Sequence, residues 1–408
     1  MSDPTVTRPP LQSLDEALQR LLTAVAPSGQ VETVSTFDAL GRVLAADVVS
    51  QLDVPPADNT AMDGYALRAA DAGLSELPVS QRVPAGSVPQ PLQPGTAARI
   101  FTGAQIPPGA DCVVMQELCE AAGEAGGGVR IKAEPQVGQH IRRRGEDVRQ
   151  GATVLAAGHK LDAAALGLAA SVGAAALQVA ARPRVALFST GDELVMPGEP
   201  LKPGAIYNSN RFTLRGLLQG LGCEVVDLGI VPDSLDATRA ALREAASRAD
   251  LIITSGGVSV GEEDHLRPAV QAEGRLDLWQ IALKPGKPLA FGRVRESWFI
   301  GLPGNPVSSF VTFLLLVRPV ILRLQGATAL QPRAFGLRAD FAWPKADKRR
   351  EFLRVRLNEA GGLDLFSNQS SGVLTSAVWG DGLVDNPPGQ PIAPGDVVRF
   401  LPFSELLS

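Results

Sequence analysis

Four short segments in the middle of the chain contain glycine, and three of them add lysine, hydroxyl or carboxylate side chains, which are residue types that bind phosphate groups and hard cations. They comprise residues 189–194, 255–264, 284–288 and 301–306. Glycine lets a backbone approach an anion closely and aim its N–H groups at it, and lysine adds positive charge. Carboxylates are ligands that Mg²⁺ prefers in proteins. The four segments together therefore predict a site for a phosphorylated substrate and a metal ion.

The segment 255–264 is the most informative of the four. Gly256 and Gly257 precede a predicted helix, so their N–H groups would form an anion-binding turn at its positive end. The acidic residues 262–264 would repel a phosphate unless a cation lay between them, which favours bound Mg²⁺. A plain tight turn is the alternative interpretation.

Each of the other three segments is also open to a simpler interpretation. Residues 189–193 could be a strand–helix turn with acidic side chains near the helix start. Lys284 and Lys287 could be ordinary surface lysines, although the neighbouring prolines stiffen the backbone and favour anion binding. Residues 301–306 could form a rigid connection between a strand and a helix, a backbone cradle for a ligand, or both.

An alternation of strands and helices over residues 182–326 would place these segments at one edge of a sheet. The predicted strands are 184–189, 224–230 and 250–254, with extended segments near 278–283, 288–294 and 297–302. The predicted helices are 209–220, 235–248, 258–272 and 306–324. This pattern predicts a doubly wound α/β domain. Because ligands of such sheets bind beyond the carboxyl ends of the strands, the segments should converge on one crevice.

The regions on either side of this domain have different patterns, so we predict a multidomain α/β protein. We expect a helical and linking domain at 1–50 and 139–181, a β-rich insert domain at 51–138, the doubly wound domain at 182–326, and a C-terminal β-barrel-like domain at 327–408. Apolar spacing predicts a helix at 11–26 and a second one, interrupted by Gly41, at 34–47. Short β-like runs at 99–102, 112–116 and 129–131 indicate the insert domain.

Composition argues against several classes of protein. The formal charge of −5 over 408 residues disfavours a nucleic-acid-binding protein, and the basic run 142–144 could be a solvated turn or an anion-facing site. Three cysteines without a C-x-x-C pair and three scattered histidines are typical of a reducing cytoplasm rather than of a disulfide framework or a zinc site. The N-terminus has no signal-peptide pattern, and the apolar stretch 310–324 is too short to span a bilayer. We therefore expect a cytoplasmic protein.

Seven motifs, taken together and in order, resemble those of the molybdopterin molybdenumtransferase family, the bacterial MoeA type that includes the E domain of gephyrin. They are residues 59–66, 102–104, 144–147, 189–194, 255–261, 284–288 and 301–308. The resemblance implies an enzyme that uses adenylylated molybdopterin and molybdate, cleaves the pyrophosphate link, inserts the metal and releases AMP, with Mg²⁺ assisting. It also implies that the doubly wound domain binds molybdopterin.

The family motifs imply roles for individual residues. The implied catalytic positions are Asp63, Thr102, Asp147, Glu193, Asp233 and Asp264, and Glu193 and Asp264 would bind the metal. The implied substrate-binding positions are Ser255, Gly256, Gly257, Ser259, Lys284, Lys287, Pro303, Pro306, Ser308, Arg354 and Ser371. Arg350 is the alternative to Arg354, and Ser370 the alternative to Ser371; an exposed strand face is an equal alternative for both arginines. His265 departs from the pattern, since many relatives have an aromatic residue there.

The resemblance further implies a homodimer in which the partner's insert domain completes each crevice. The upstream adenylyltransferase is a further expected partner. Two alternatives remain, which are an enzyme like that adenylyltransferase and a non-catalytic scaffold of the gephyrin kind. The motifs of the insert domain and the C-terminal β domain favour the metal-inserting enzyme, since only the central unit and its Gly-Gly turn are shared with the adenylyltransferase.

Overall fold

The computed structural model describes residues 11–123, 127–257 and 265–407, and the predicted doubly wound domain forms its centre. The central sheet has six strands, which in spatial order are Glu224–Val231, Arg184–Thr190, Leu251–Ser255, Ser297–Leu302, Pro288–Val294 and Gly274–Gln280. The first four are parallel, and Pro288–Val294 is antiparallel to both of its neighbours. The chain leaves Arg184–Thr190 first toward one side and then returns to the other, so the strand order reverses beside this strand. A ligand crevice is expected at such a reversal.

Both faces of the central sheet are covered by helices, which explains the apolar strand patterns. Val185 and Leu187 face a core with the helices Leu14–Ala24, Ser209–Gly220 and Pro306–Leu324. Ala186 and Phe188 face the opposite core, which includes residues of the helices Leu235–Arg248 and Leu266–Glu273. The helix predicted at 258–272 corresponds to Leu266–Glu273, and its predicted start lies outside the described residues. The other predicted strands and helices of this domain are confirmed, most of them to within a few residues.

The helix Pro306–Leu324 is the core element that the sequence pattern at 306–324 predicts. It has 19 residues, a mean hydropathy of 1.8 in its most apolar window, and 94% of that window is buried inside the protein. Within the described ranges it is the one helix long and apolar enough to cross a membrane. Its burial is that of a core helix packed on a sheet.

The linking region combines one helix that joins the central core with short paired strands. The helix Leu14–Ala24 begins with a capping box, in which Ser13 Oγ accepts from the Glu16 N–H and the Glu16 carboxylate accepts from the Ser13 N–H. The strand pairs are Val31–Ser35 with Ala176–Ala180 and Val48–Val49 with Thr153–Leu155, and the helix Ala163–Ser171 packs beside them.

The helix predicted at 34–47 is wrong. The structure has a single 3₁₀ turn at Thr36–Asp38, followed by a left-handed Gly41 with φ of +74°. Phe37 is 92% exposed and Leu40 is 61% exposed, so half of the apolar pattern does not face a core. Val43 instead forms an isolated β-bridge with Lys160, and Leu44 forms one with Val179. Long-range pairing has therefore replaced a locally plausible helix.

The β-rich insert domain is confirmed as one six-stranded sheet. Its strands in spatial order are Cys112–Met115, Gly64–Leu67, Ala97–Ile100, Leu77–Val83, Gly128–Ile131 and Cys119–Ala122. The strand predicted at 99–102 begins two residues earlier, whereas those predicted at 112–116 and 129–131 match closely. The pair Asn59–Thr60 with Ile141–Arg142 joins the two chain crossings to this domain.

The C-terminal β domain is also confirmed, and its sheet includes a strand from the central region. The spatial order is Leu283–Lys284, Arg350–Leu357, Gly382–Asn386, Val397–Pro402 and Phe335–Arg338, with Leu363–Leu365 pairing separately with Arg350–Leu357. Among the described residues the two outer strands do not pair with each other. The parallel pairing of Leu283–Lys284 with Arg350–Glu351 places the lysine segment directly against the terminal domain.

Candidate active-site crevice

A crevice of about 520 Å³ lies beyond the carboxyl ends of three parallel strands, where the sequence predicts it. Its walls come from residues 190–194, 206–210, 255–257 and 303–308, together with Pro288. Three of the four predicted segments therefore meet here, and the lysine segment reaches the crevice through Pro288. Of the predicted site residues, those lining it are Glu193, Ser255, Gly256, Gly257, Pro303, Pro306 and Ser308.

Glu193 lies on one wall in a position that depends on a glycine. Gly191 has φ of +142°, and a Cβ atom there would lie 2.5 Å from Glu193 Oε2. The absence of a side chain at position 191 therefore leaves room for the carboxylate. The backbone of Glu193 is held by the N–H of Ile206, which donates to its carbonyl at 2.8 Å.

The Gly-Gly turn forms the floor between two strands. Gly256 and Gly257 both have left-handed backbone angles, with φ of +93° and +63°. The Gly256 N–H donates to the Leu302 carbonyl at 3.1 Å, and a Cβ atom on Gly256 would lie 3.3 Å from the Thr190 carbonyl oxygen. Consecutive glycines of this geometry are compatible with an anion-binding turn. Ser259 and Asp264 lie outside the described residues.

A second polar wall, residues 206–210, was missed by sequence reasoning. Asn208 is the N-cap of the helix Ser209–Gly220, since its side chain accepts from the Arg211 N–H at 3.1 Å. Asn210 Nδ2 donates to the Gly304 carbonyl at 2.7 Å and so joins this helix start to the 303–308 wall. An asparagine just before a helical pattern is the signal that could have located this wall.

The third wall is the start of the core helix. Pro306 occupies the first helical turn after the N-cap Asn305, as the sequence predicts. Ser308 lies in the same first turn and is only 5% exposed. The N–H of Val307 donates to the Ser371 carbonyl at 2.9 Å, so the terminal domain contacts this helix beside the crevice.

The lysine segment lies at the same edge of the sheet but its lysines do not line the crevice. Lys284 Nζ is 2.9 Å from Glu351 Oε1 and 3.5 Å from Asp347 Oδ2, both in the terminal domain. Gly286 has φ of +121°, and a Cβ atom there would lie 2.3 Å from Thr312 Oγ1 of the core helix. The segment is therefore packed on the helix and on the terminal domain at once.

The two candidate arginines of the terminal domain have different surroundings. Arg354 is 1% exposed and donates to neutral oxygens, namely Ser376 Oγ, the Phe352 carbonyl and the Ser370 carbonyl. This burial lowers the pKa of Arg354 to about 10. Arg350 instead forms ion pairs with Asp385 and Asp15 in a different groove. The exposed-strand alternative is thus wrong for Arg354, which is buried.

Asp63 and Thr102 lie together on the insert domain, away from the crevice walls. Asp63 Oδ1 accepts from both the N–H and the hydroxyl of Thr102, each at 2.7 Å, and both groups are exposed. The Thr102 N–H and then its hydroxyl hold the pKa of Asp63 below the ordinary value. Asp147 lies near the linking region, beside Asn59 and Arg142. None of the three lines the crevice of its own chain.

The basic run 142–144 and Asp233 lie outside the crevice walls. Arg143 is paired with Asp58 and Arg144 with Asp53, which favours a solvated turn for those two residues. Asp233 is not a crevice-lining residue, but its N–H donates to Asp192 Oδ1 at 3.3 Å, one residue before Glu193. His265 is the N-cap of the helix Leu266–Glu273 and its side chain makes no capping hydrogen bond.

Glu193 is the carboxylate in the crevice that could hold a hard cation. In the described part of the chain no group of three or more histidine, cysteine or acidic side chains is placed to bind a metal. Mg²⁺ is commonly bound by one or two carboxylates plus substrate phosphates and water, so the single carboxylate in its glycine-dependent position fits such an ion. A resident transition-metal site is not indicated by these residues.

Comparison with known proteins identifies the class of molecule to which this crevice belongs. Residues 12–173 match the MoeA N-terminal region (domains I and II), 186–323 match a probable molybdopterin binding domain, and 337–403 match the MoeA C-terminal region (domain IV). The protein is therefore a multidomain α/β protein whose central domain is of the molybdopterin-binding type.

Full-length relatives identify the family. The chain is 41% identical to the molybdopterin molybdenumtransferase of Haemophilus influenzae, covering 97% of this chain and 99% of that protein. It is 38% identical to molybdopterin molybdenumtransferase 2 of Mycobacterium tuberculosis, covering 90% and 94%. A crystal structure of the molybdopterin biosynthesis MoeA protein from Pyrococcus horikoshii superposes with a TM-score of 0.83 at 29% identity, covering 96% and 100%. The chain belongs to the molybdopterin molybdenumtransferase (MoeA) family.

Proposed function

We propose that this protein transfers molybdenum from molybdate to adenylylated molybdopterin and releases AMP. The observation that supports this most directly is the convergence of a Gly-Gly turn, a carboxylate and a lysine segment at one edge of the central sheet. Membership of the molybdenumtransferase family supports the same reaction.

The crevice would bind the substrate's pyrophosphate through its backbone and hydroxyl donors. The Gly257 N–H and the Ser308 hydroxyl would donate to phosphate oxygens, whereas the Gly256 N–H already donates to the Leu302 carbonyl and would hold the turn in shape. Pro303 and Pro306 give the opposite wall a stiff backbone. Stabilising the charge that develops when the pyrophosphate link breaks would be the main contribution of these groups.

Molybdate would bind where the terminal domain meets the crevice. Lys284 and Lys287 would provide charge, and Ser371 lies beside the start of the core helix. Arg354 is buried at this junction with only neutral hydrogen-bond acceptors, so an oxyanion nearby would compensate its charge.

Mg²⁺ is proposed as an assisting ion held by Glu193, and Asp264 remains a second predicted ligand. When bound, the ion would neutralise charge on the pyrophosphate oxygens. The role of Glu193 itself would be to present a carboxylate on the crevice wall beside the Gly-Gly turn.

A homodimer is proposed because Asp63, Thr102 and Asp147 do not line the crevice of their own chain. These exposed side chains, two on the insert domain and one in the linking region, would then complete a partner's crevice. The enzyme that adenylylates molybdopterin is the proposed donor of the substrate, and a cytoplasmic location remains a prediction.

The decisive experiment measures AMP release and cofactor formation from adenylylated molybdopterin, with and without molybdate and Mg²⁺. Wild type is compared with Glu193→Gln and with the matched control Glu199→Gln, whose exposed carboxylate lies outside the crevice. We expect release that requires both ions, collapses in Glu193→Gln and persists in Glu199→Gln. Pterin binding without AMP release under any metal condition would contradict the proposal and favour the adenylyltransferase or scaffold alternatives.

The shared site has its own test. Asp63→Asn and Glu193→Gln are inactive separately under this proposal, but a mixed dimer of the two would contain one intact crevice. Recovery of AMP release on mixing and refolding the two variants together supports a site built from two chains. If AMP release does not recover although co-purification of differently tagged chains shows that the mixed dimer has formed, the two-chain site is ruled out.

A further inference from the structure

Glu351 is a buried carboxylate of the terminal domain that directly contacts the lysine segment. It is 1% exposed, and its two oxygens accept from three donors, namely Lys284 Nζ at 2.9 Å, Trp343 Nε1 at 2.8 Å and the Asp347 N–H at 3.0 Å. Lys284 bonds one oxygen and the other two donors share the second. A carboxylate buried to this degree requires such partners, because an unpaired charge there would be costly.

The pairing also determines where the lysine points. Lys284 and Glu351 are register partners in the parallel pairing of Leu283–Lys284 with the strand Arg350–Leu357. The lysine side chain nevertheless remains 37% exposed. An ammonium group has three donors, so one that is anchored by Glu351 and lies 3.5 Å from Asp347 Oδ2 still has an N–H group available to a ligand.

The anchored lysine lies at the crevice edge of the sheet. Gln280, at the end of its strand, pairs with Pro288, and Pro288 lines the crevice. The connection between them contains Lys284, so this connection lies at the same edge. Glu351 therefore holds an ammonium group beside the crevice without lining the crevice itself.

We propose that Glu351 is a positioning residue that holds the Lys284 ammonium in place to receive an oxyanion of the substrate. The proposal rests on the function proposed above, in which Lys284 binds molybdate. Flexible lysines lose side-chain entropy when they bind, and a buried acceptor that restrains the ammonium beforehand reduces that loss. Docking of the terminal domain thereby strengthens oxyanion binding.

The test substitution is Glu351→Gln, which removes the acceptor for Lys284 and keeps the acceptor for Trp343 and Asp347. The amide oxygen can still accept from Trp343 and from the Asp347 N–H, while the amide nitrogen then faces Lys284 and cannot accept from it. The matched control is Glu273→Gln, another ion-paired carboxylate, bonded to Arg239 and Arg243. Glu273 precedes the strand Gly274–Gln280, whose other end reaches the crevice, so it lies at the opposite edge of the sheet.

Steady-state AMP release is measured at varied molybdate for wild type, both glutamine variants, Lys284→Met and Lys284→Met/Glu351→Gln. We expect Glu351→Gln to lower kcat/KM for molybdate on the order of tenfold to a hundredfold, mainly through KM. Glu273→Gln should keep the wild-type value. Because Glu351 acts through Lys284, the double variant should be no worse than Lys284→Met alone.

Two results would overturn the inference while wild type remains active. One is an unchanged KM in Glu351→Gln, and the other is a further loss when Glu351→Gln is added to Lys284→Met. If Glu351→Gln does not fold, Lys284→Met/Glu351→Met, which removes both partners and leaves no buried carboxylate without its cation, is compared with Lys284→Met; a further loss in the double variant would overturn the inference. Failure of the proposed function is distinguishable, because wild type itself would then release no AMP.

Discussion

Replacing Gly286 with alanine is expected to disturb the lysine segment through two separate effects. The first is conformational, because the backbone at this position has φ of +121°, which residues with a Cβ atom rarely adopt. The second is steric, because the new Cβ atom would lie 2.3 Å from Thr312 Oγ1 and 3.1 Å from Leu283 Cδ2. Both contacts lie in the packed region between the core helix and the terminal domain.

The two effects give an expected magnitude. A left-handed backbone angle costs a residue with a side chain about 1–2 kcal/mol. An added methyl group in a well-packed region costs about 1–3 kcal/mol. If the native backbone is kept, the free energy of unfolding should therefore fall by about 2–5 kcal/mol. If the segment shifts instead, the loss of stability is smaller and the KM for molybdate rises.

Removing Thr312 Oγ1 separates the two effects. This hydroxyl is buried without a hydrogen-bond partner in the described structure, so Thr312→Ala alone should cost only about 1 kcal/mol of packing. Gly286→Ala/Thr312→Ala should regain the steric part and leave the conformational part. Gly216→Ala is the control, since that helical glycine has nothing within 4 Å of a new Cβ atom.

The assay is urea unfolding followed by tryptophan fluorescence, combined with AMP release at varied molybdate. Gly286→Ala should lower the unfolding midpoint or raise KM, and Gly216→Ala should do neither. The reasoning is refuted if Gly286→Ala matches wild type in both measurements. It is also refuted if Thr312→Ala gives no recovery in the double variant, since the close approach to Thr312 Oγ1 would then not be the cause.

Two further predictions concern the crevice wall and the thiols. Asn210→Ala removes the hydrogen bond to the Gly304 carbonyl, so substrate affinity measured by calorimetry should fall by about 0.5–1.5 kcal/mol, and unchanged affinity would show that this bond does not hold the wall. Burial raises the pKa of Cys112 and Cys223 to about 12 and that of Cys119 to about 11. Native protein at about pH 8 should therefore react with a disulfide reagent far more slowly than urea-unfolded protein, and one rapidly reacting thiol in the native state would contradict this.

Local patterns were sufficient to locate most elements of the central domain. The run 250–254 is apolar and β-branched because the strand Leu251–Ser255 is buried on both faces. The glycine and proline segments after the strands could be placed at one edge because parallel strands all end there. The helix predicted at 34–47 was wrong because two of its apolar residues are exposed to solvent and two form β-bridges with residues far away in the sequence. The spacing of apolar residues within the segment does not reveal such bridges.

Other features depend on chain segments that are far apart in sequence. Asn210 contacts Gly304 and Lys284 contacts Glu351 only because separate strands and helices place them together. The burial of Arg354 also depends on such distant segments, because the residue pattern of its strand does not predict whether its side chain is buried or exposed.

The family could be predicted from motifs in the amino-acid sequence, and the doubly wound core could be predicted because glycine turns, helix caps and strand periods are local properties. Phosphate binding by the glycine, lysine and hydroxyl residues stays a prediction. Tertiary structure was needed to establish which of those residues share one crevice and which lie on other surfaces, Asp63 and Thr102 among them. It was also needed to establish that Lys284 is anchored by Glu351. Those outcomes depend on domain docking, and the free energy of docking comes from contacts between residues that are far apart in the sequence.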